Sequence, residues 1–285
     1  MLDPATRSLQ TLDGDTLSVG DLKVTALSDG YLDIPAAYFS NLSTEEVKRV
    51  TPATRFGANT WLIEAGSRRI LVDAGSGTWL RERFPSSGAL DWQDEKRAAE
   101  RAAITDIIVT HMHADHIGGL SQAGASLFPN AEIHVQAAEW SYWTDAGLPG
   151  AVPEERRPLV RLIQALAEPV AGQIRLHEGE ADLGGGITLL PAPGHTPGHQ
   201  AVHLASGGKE ALLAADAIVS GALQFANPDV RYALDSDPAL AVQTRKTLFD
   251  RITADRVPFA ATHLEETGFG LLERQGPGYH RVPLR

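Results

Sequence analysis

The stretch Thr110-His-Met-His-Ala-Asp-His-Ile-Gly-Gly119 decides how this sequence is interpreted. It places four potential metal ligands within six residues, namely His111, His113, Asp115 and His116. Imidazole and carboxylate groups suit zinc and similar divalent ions. The run before it, Ile104–Thr110, is mostly apolar and β-branched, which predicts a buried strand. Side chains alternate at the end of such a strand. The first two histidines would therefore share one side, and a turn would bring the other two ligands back towards them.

The rest of the chain is organised as an ordinary globular protein. It has 285 residues, of which 43% are hydrophobic and 21% charged. Short runs typical of strands, such as Asn59–Glu64, recur along nearly the whole length, and helical stretches lie between them. Ser43 and Glu46, three residues apart, indicate a capped helix start. We predict a single domain over residues 1–285, with residues 1–20 as an N-terminal extension. The predicted class is α/β (α+β), with mixed sheets covered by helices.

Charge and composition exclude several classes of protein. Lysine and arginine number 25 against 36 aspartates and glutamates, and the formal net charge of −11 would repel nucleic acid. No cysteine is present to form a disulfide or a thiolate ligand. No apolar run approaches the roughly 18 residues that a membrane span needs. The start of the chain carries no apolar signal segment, which predicts a cytoplasmic protein as given and a periplasmic one if an export signal was removed. We expect a small-molecule substrate and leave a homodimer open.

The motif H-x-H-x-D-H followed by Ile-Gly-Gly resembles that of the metallo-β-lactamase superfamily. Three further elements of that pattern follow in order, which are Gly194-His-Thr-Pro-Gly-His199, Leu213-Ala-Ala-Asp216 and Ala261-Thr-His263. The resemblance implies an αββα sandwich, in which two mixed β-sheets are flanked by helices and metals lie at one edge of the sheets.

The same resemblance implies a complete set of ligands for two divalent ions. Zn²⁺ is expected first, with Mn²⁺, Co²⁺ or Fe²⁺ as alternatives. One ion would be held by His111, His113 and His195. The other would be held by Asp115, His116 and His263, and Asp216 would bridge the two. Two ions, two carboxylates and a bridging hydroxide leave about one positive charge, which suits a developing oxyanion.

Three carboxylates are given roles beside the ions. Asp115 and Asp216 are the expected catalytic residues, around a hydroxide that bridges the ions and acts as the nucleophile. Asp115 could also take and return a proton. Asp73 ends the apolar run Ile70–Asp73, and we predict that it holds a ligand histidine by a hydrogen bond. The alternative interpretation of Asp73 is a turn residue at the end of a strand.

Within the superfamily, the chain resembles the methyl parathion hydrolase-like and lactonase group. The similarity lies in Ser28–Pro35, in Phe128–Ala131 and in Gln224-Phe225, which is followed by Pro228 and Asp235-Ser-Asp237. It implies a hydrolase of lactones or aryl esters with side activity on phosphotriesters. Three alternatives stay open, which are an organophosphate hydrolase, an N-acyl homoserine lactonase and a non-catalytic metal-binding protein. Many homoserine lactonases place a tyrosine three residues after the bridging aspartate, where this chain has Val219.

Aromatic residues are predicted to form the substrate pocket. Trp79 follows the Asp73 strand, and Phe225 follows the Asp216 strand, so both could reach the metal edge. Trp143 falls where the resembling hydrolases have an aromatic wall. A flat leaving group or lactone ring would stack on these side chains. The alternative is that Trp140 and Trp143, three residues apart, form a core-facing stripe of a helix.

Overall fold

The computed structural model describes residues 16–264 and 268–284. The strands of this part of the chain are β1 (Thr16–Val19), β2 (Leu22–Asp33), β3 (Arg55–Ala65), β4 (Arg68–Val72), β5 (Asp106–Ile108), β6 (Ser121–Gln122), β7 (Ala125–Ser126), β8 (Glu132–Gln136), β9 (Ile174–His177), β10 (Ala181–Asp182), β11 (Ile187–Pro191), β12 (Gln200–Ser206), β13 (Lys209–Leu213), β14 (Phe259–Ala260), β15 (Gly270–Gln275) and β16 (Gly278–Pro283). The α-helices are α1 (Thr44–Val50), α2 (Ala98–Ala103), α3 (Ala114–Ile117), α4 (Ala137–Thr144), α5 (Leu148–Ala151), α6 (Arg157–Ala167), α7 (Gly221–Gln224) and α8 (Pro238–Ala254). Short 3₁₀ helices occupy Ala36–Tyr38, Glu95–Arg97, Glu154–Arg156, Glu168–Gln173 and Ala215–Ala217.

The strands form two seven-stranded sheets and one small hairpin. The first sheet has the order β1-β2-β3-β4-β5-β8-β9, antiparallel from β1 to β4 and parallel from β4 to β9. The second has the order β10-β11-β12-β13-β14-β15-β16 and is antiparallel except for the parallel pair β13 and β14. Both sheets are therefore mixed, as predicted. The hairpin pairs β6 with β7.

The sheets pack face to face, and helices cover their outer faces. Side chains such as Ile70 in β4 and Leu213 in β13 form one core between the sheets. The other face of the first sheet packs under α3, α4 and α6, with Ile107 of β5 and Ile163 of α6 in one cluster. The other face of the second sheet packs under α8 through residues such as Phe249. This layer order confirms the αββα sandwich. It also explains why Ile107 and Ile108 of β5 are both apolar, because they point to opposite faces of the strand and both faces are buried.

Local sequence signals set where two of the helices begin. At α1, the Ser43 side chain accepts from the amide of Glu46, and the Glu46 carboxylate accepts from the amide of Ser43, which is the predicted capping box. At α8, the Asp237 carboxylate caps the first turn next to Pro238. This cap positions the chain between Gly194 and α8, because the amide of Asp237 donates to the carbonyl of Gly194.

The predicted N-terminal extension over residues 1–20 is wrong in its last part. Residues 1–15 lie outside the described residues, but Thr16–Val19 forms β1, which pairs with β2 in register with Leu22–Thr25. The strand was not predicted because its alternation of apolar and polar side chains is short. None of the helices among the described residues is long and apolar enough to cross a bilayer.

Candidate metal centre

The ends of three strands deliver most of the predicted ligands to one edge of the sandwich. The chain leaves β5 at Ile108, carries His111 and His113 in the loop before α3, and places Asp115 and His116 in α3 itself. It leaves β13 at Leu213 and reaches Asp216 in a 3₁₀ turn, and it leaves β14 just before His263. β13 and β14 are parallel neighbours, so their carboxyl ends lie at one edge of the second sheet, and the loop after β5 of the first sheet reaches the same edge.

Three histidines form the first group of ligand atoms. The Nε2 atom of His111 lies 3.1 Å from Nδ1 of His113, and Nε2 of His195 lies 3.0 Å from the same atom. All three rings are buried. Ligands of a tetrahedral ion bound at about 2.0–2.1 Å stand a little over 3 Å apart, so this spacing suits one metal ion.

Asp115, His116 and His263 form a second group beside the first. The Oδ2 atom of Asp115 lies 3.6 Å from Nε2 of His116 and 3.5 Å from Nε2 of His263. The atoms of this group lie within 4.8 Å of one another, as do those of the group formed by His111, His116 and Asp216. Together with the three histidines above, the structure brings all seven predicted ligands into one cluster.

Asp216 stands between the two groups. Its Oδ2 atom is 3.3 Å from Nε2 of His195 and 3.0 Å from Nε2 of His263, and its Oδ1 atom is 3.4 Å from Nε2 of His116. The preceding residue, Ala215, has a φ of 44°, a left-handed conformation that is uncommon for alanine. One carboxylate therefore faces donors of both groups, which is the position a bridging ligand requires.

Buried hydrogen bonds orient the ligand rings from behind. Asp73 accepts from Nδ1 of His116 at 2.8 Å and from the amide of Thr110 at 2.8 Å. This amide bond also ends the regular pairing of β5, which is why the strand is shorter than the apolar run. His263 donates from Nδ1 to the carbonyl of Gly57 at 2.8 Å. In the neutral form that a metal ligand takes, a histidine that donates from Nδ1 keeps a lone pair on Nε2, so both rings would direct that atom towards a bound ion.

Asp235 orients His195 in the same way and was not identified from the sequence. It accepts from Nδ1 of His195 at 2.9 Å and also from the amide of Tyr232 at 3.1 Å. The resemblance includes it within Asp235-Ser-Asp237 but gives it no role, and 40 residues separate it from His195, so no local signal joins the two. His199 lies behind the ligands, where it donates from Nδ1 to the carbonyl of Ala192 at 3.0 Å and accepts at Nε2 from the amide of Asp216 at 3.1 Å.

A second undetected residue, Glu139 of α4, ties the two ligand loops together. Its carboxylate accepts from the amide of Met112 at 2.8 Å and from the amide of Gly198 at 2.9 Å. Burial raises its pKa. A Cβ atom on Gly198 would lie 2.2 Å from the amide nitrogen of Glu139, so only glycine permits this approach. The carboxylate thus fixes the loop of His111 and His113 against the loop of His195.

The protonation of the cluster follows from burial and the neighbouring charges. Burial and the other histidines hold the pKa values of His111 and His113 well below the ordinary value. Burial alone lowers the pKa of His116, but the nearby carboxylates, Asp216 first, outweigh it and hold that pKa well above the ordinary value. Burial favours the neutral form of Asp216, yet the histidines around it hold its pKa well below the usual range. The buried carboxylates of the cluster therefore stabilise positive charge beside them.

The residues present fit divalent metal ions. The Nε2 atom of His116 and the Oδ1 atom of Asp216 are buried without a hydrogen-bond partner among the described residues. Unpaired buried polar atoms are costly, and both point at the space between the ligand groups. Five imidazoles and two carboxylates are the nitrogen and oxygen donors that zinc and its neighbours prefer.

A cavity of about 120 Å³ opens onto these ligands. Its floor is formed by residues of the cluster, including His113, Asp115 and Asp216. Apolar side chains dominate its walls, which comprise Leu32, Ile34, Leu80, Phe84, Leu159 and Leu234 with Tyr38 and Tyr232. Burial and the nearby carboxylates Asp115 and Asp216 raise the pKa of Tyr232 well above its ordinary value, so its phenol stays neutral.

Trp79 and Phe225, both predicted pocket residues, lie outside this cavity. The segment after β4 coils in turns, and the amide of Phe84 donates to the carbonyl of Leu80. Residues three or four apart share a face of such a coil, so Leu80 and Phe84 both line the cavity. Trp79 lies on another face of the coil, where 45% of its surface is exposed to solvent. Phe225 is buried in the cluster beneath α8, with its ring centroid 5.7 Å from that of Phe249.

Trp143 also does not line the cavity. It is 6% exposed, and its ring lies behind His113 with the two centroids 5.5 Å apart. Its Nε1 atom donates to Oε1 of Glu139 at 2.7 Å. A buried indole N–H needs an acceptor, and Glu139 supplies it one turn earlier on α4. Trp143 therefore supports the ligand loop from the core side, and the alternative of a core-facing residue is correct for it.

Comparison with known proteins places these observations in a family. The sequence pattern of the metallo-β-lactamase superfamily matches residues 53–263. A human acyl-coenzyme A thioesterase, MBLAC2, is 29% identical over 170 residues, which are 58% of this chain and 60% of that protein. The chain thus matches less than two thirds of this relative's length.

Two solved structures share the fold over nearly the whole chain. The dizinc quorum-quenching lactonase AidC, in complex with a hydrolysed homoserine lactone product, superposes with a TM-score of 0.84 at 24% identity and covers 95% of this chain and 97% of its own. The hydrolase AbOPH of the β-lactamase superfamily gives the same TM-score and coverage at 25% identity. The chain belongs to the metallo-β-lactamase superfamily.

Proposed function

We propose that this chain is a dinuclear metal-dependent hydrolase of lactones or aryl esters. The observation that carries the proposal is the position of Asp216, whose two oxygens face both ligand groups at the floor of an apolar cavity. His111, His113 and His195 would hold one ion, and Asp115, His116 and His263 the other. Zn²⁺ is the expected metal, because imidazole and carboxylate are among its usual ligands, with Mn²⁺, Co²⁺ or Fe²⁺ as alternatives.

Bound divalent ions would supply Lewis acidity towards a carbonyl oxygen and would lower the pKa of a coordinated water. The chain's own residues do the rest. Asp73 and Asp235 hold the rings of His116 and His195, so the ligand geometry does not need to form on binding. Asp115 lines the cavity, and its side chain is 16% exposed, so it can take a proton from the reacting group and return it to the leaving group.

The walls of the cavity favour a neutral substrate body that is apolar and partly flat. Tyr38 and Phe84 offer aromatic faces, and Leu32, Ile34 and Leu234 offer aliphatic ones. An aromatic ring stacked there would gain about 0.5–1.5 kcal/mol of binding free energy in addition to what the burial of its apolar surface contributes. The relatives named as a lactonase and a thioesterase both cleave acyl bonds, which supports carbonyl rather than phosphoryl substrates.

N-acyl homoserine lactones are a second candidate substrate class. The aliphatic side chains of the wall, Leu32, Ile34, Leu159 and Leu234, would accommodate an acyl chain. The fold similarity to a homoserine lactonase directs attention to this class. We rank it second because the aromatic faces add little for a flexible chain.

The test is a comparison of kcat/KM for four substrates on zinc-loaded protein. These are an aryl acetate, an aromatic lactone, N-hexanoyl homoserine lactone and an aryl phosphotriester. We expect the first two to be fastest and all turnover to vanish with a chelator and return with Zn²⁺. A tenfold preference for the homoserine lactone would favour the second candidate, and a preference for the phosphotriester would indicate an organophosphate hydrolase. No turnover by metal-loaded protein would leave a non-catalytic metal-binding protein.

A further inference from the structure

One strongly basic side chain, Arg83, lines the cavity that leads to the metal centre. It lies three residues after Leu80 in the coiled segment that follows β4, so it shares the face that Leu80 and Phe84 turn towards the cavity. Arg83 is exposed, whereas the ligands on the floor, such as His195, are buried. The guanidinium group therefore stands at the mouth of the cavity, and the apolar walls separate it from the reacting centre.

The Arg83 side chain is held in place without losing its charge. Its Nη2 atom donates to the hydroxyl of Tyr38 at 2.7 Å, and its guanidinium carbon lies 5.3 Å from the centroid of the Phe84 ring. Within residues 16–264 and 268–284, no carboxylate forms an ion pair with it. Arg81 of the same segment differs, because it pairs with Asp91 at 3.4 Å and donates to the carbonyl of Gly88.

A guanidinium group has five N–H donors, and one hydrogen bond to Tyr38 leaves most of them free. A planar group held in this way binds carboxylate or phosphate oxygens in pairs, which are the strongest hydrogen bonds of a neutral-pH protein surface. Its placement is notable in a chain with a net charge of −11, where anions are repelled over most of the surface. Salt largely screens charges that lie more than about 10 Å away, so Arg83 gives the mouth a local positive charge that the distant acidic surface does not cancel.

We infer that the substrate carries an oxyanion, a carboxylate or a phosphate group, at the end remote from the scissile bond, and that Arg83 binds it. This inference rests on the proposed function, because it assigns a second recognition point to the same cavity. The substrate class becomes an aryl ester or lactone whose apolar body lies between the metal centre and a charged group at the mouth. Arg83 is then a specificity-determining residue.

The experiment compares three aryl esters of equal length on zinc-loaded protein. Their acyl chains end in a methyl ester, a carboxylate or a phosphate. We expect wild-type kcat/KM to be about tenfold higher for at least one of the two anionic esters than for the neutral one. Arg83→Gln should remove that preference, and Arg83→Lys should keep part of it. The two anionic esters tell a carboxylate from a phosphate as the preferred group.

Arg256→Gln is the matched control. Arg256 is exposed, pairs with Glu273 at 3.6 Å and does not line the cavity, so the substitution makes the same change in net charge and should keep the preference. The inference would be overturned if the wild type hydrolysed all three esters with equal kcat/KM, or if Arg83→Gln kept the wild-type preference for an anionic ester. Either result would leave the proposed function standing. Absence of turnover for every ester would overturn the proposed function and the inference with it.

Discussion

The floor and the walls of the cavity are built by different means. The ligand side chains on the floor are buried. Their histidine rings are fixed by hydrogen bonds that they donate to acceptors such as Asp73, Asp235 and the Gly57 carbonyl. The walls come from β2, from the coiled segment after β4, from α6 and from the loop around Leu234, and most of their side chains are held by packing alone.

This difference separates the chemistry of the site from its selectivity. A change on the floor alters the geometry that every substrate meets, so it should affect all of them together. A change in the wall alters one contact with one part of a substrate. Such a contact contributes little free energy, so its loss should change the order of kcat/KM among substrates more than the overall rate. The following substitutions test whether the two regions are as independent as their construction implies.

The largest effect is expected from Asp216→Ala, because both ligand groups lose the carboxylate that lies between them. The bound metal should fall by at least one ion per chain, and kcat/KM should fall by more than about 100-fold for every substrate. Elemental analysis and ester hydrolysis on the same sample measure both quantities. Asp229→Ala is the control, because that carboxylate is exposed, pairs with Lys246 at 2.7 Å and does not line the cavity. Unchanged metal content in Asp216→Ala would contradict the role given to the residue.

Asp73→Asn and Asp235→Asn should have the next largest effects. Each removes the charge of a carboxylate that holds one ligand ring, His116 in the first case and His195 in the second. Losses of about 10–100-fold in metal affinity are expected from such partners. Competition with a chromophoric zinc chelator measures the affinity. If either variant binds zinc as the wild type does, the corresponding ring is held by packing instead.

Trp143→Phe should lower stability without reordering substrates. The substitution removes the indole donor to the buried Glu139 carboxylate, which should cost about 1.5–3 kcal/mol in the free energy of unfolding. Urea unfolding measures that loss, and kcat/KM should change by the same factor for aromatic and aliphatic substrates. Trp140→Phe is the matched control on the same helix, because Trp140 is half-buried. A selective loss on aromatic substrates would restore Trp143 to the pocket wall.

Leu234→Ala should have the smallest effect and should be selective. It removes apolar contact from the wall, so the ratio of kcat/KM between a long and a short acyl ester should change by about tenfold. Metal content should stay at the wild-type value. Leu176→Ala, at an exposed position of β9, serves as the control for a loss of the same atoms. Loss of metal from Leu234→Ala would show that the walls and the floor are coupled.

Part of the floor could be predicted from local signals, whereas His195, Asp216 and His263 were assigned by the resemblance to the superfamily. Four ligands lie in one short motif after an apolar strand, and Asp73 ends another strand of the same sheet. Asp235 and Glu139 could not be predicted, because each acts on a loop that is distant in the sequence. The two layers of strands were implied by the resemblance, and the capped start of α1 follows from Ser43 and Glu46, whereas the alternation in β1 is too short to predict a strand.

The walls could not be predicted, because no pattern joins their members. Leu32, Leu80, Leu159 and Leu234 are ordinary apolar residues until the fold brings them together. Trp79 and Trp143 show the related difficulty that a large aromatic residue near a site carries no signal for the direction of its side chain. The hydrogen bond to Glu139 sets the direction of the Trp143 side chain, and the coil of the segment after β4 sets that of Trp79.

The most direct test of the account is a titration of metal-free protein with Zn²⁺, in which hydrolysis of an aryl ester is measured at each ratio of metal to chain. The two ligand groups that share Asp216 predict that activity rises until two ions are bound per chain and then levels off. Full activity at one ion per chain, or two bound ions without hydrolysis of any ester or lactone, would contradict the dinuclear hydrolase.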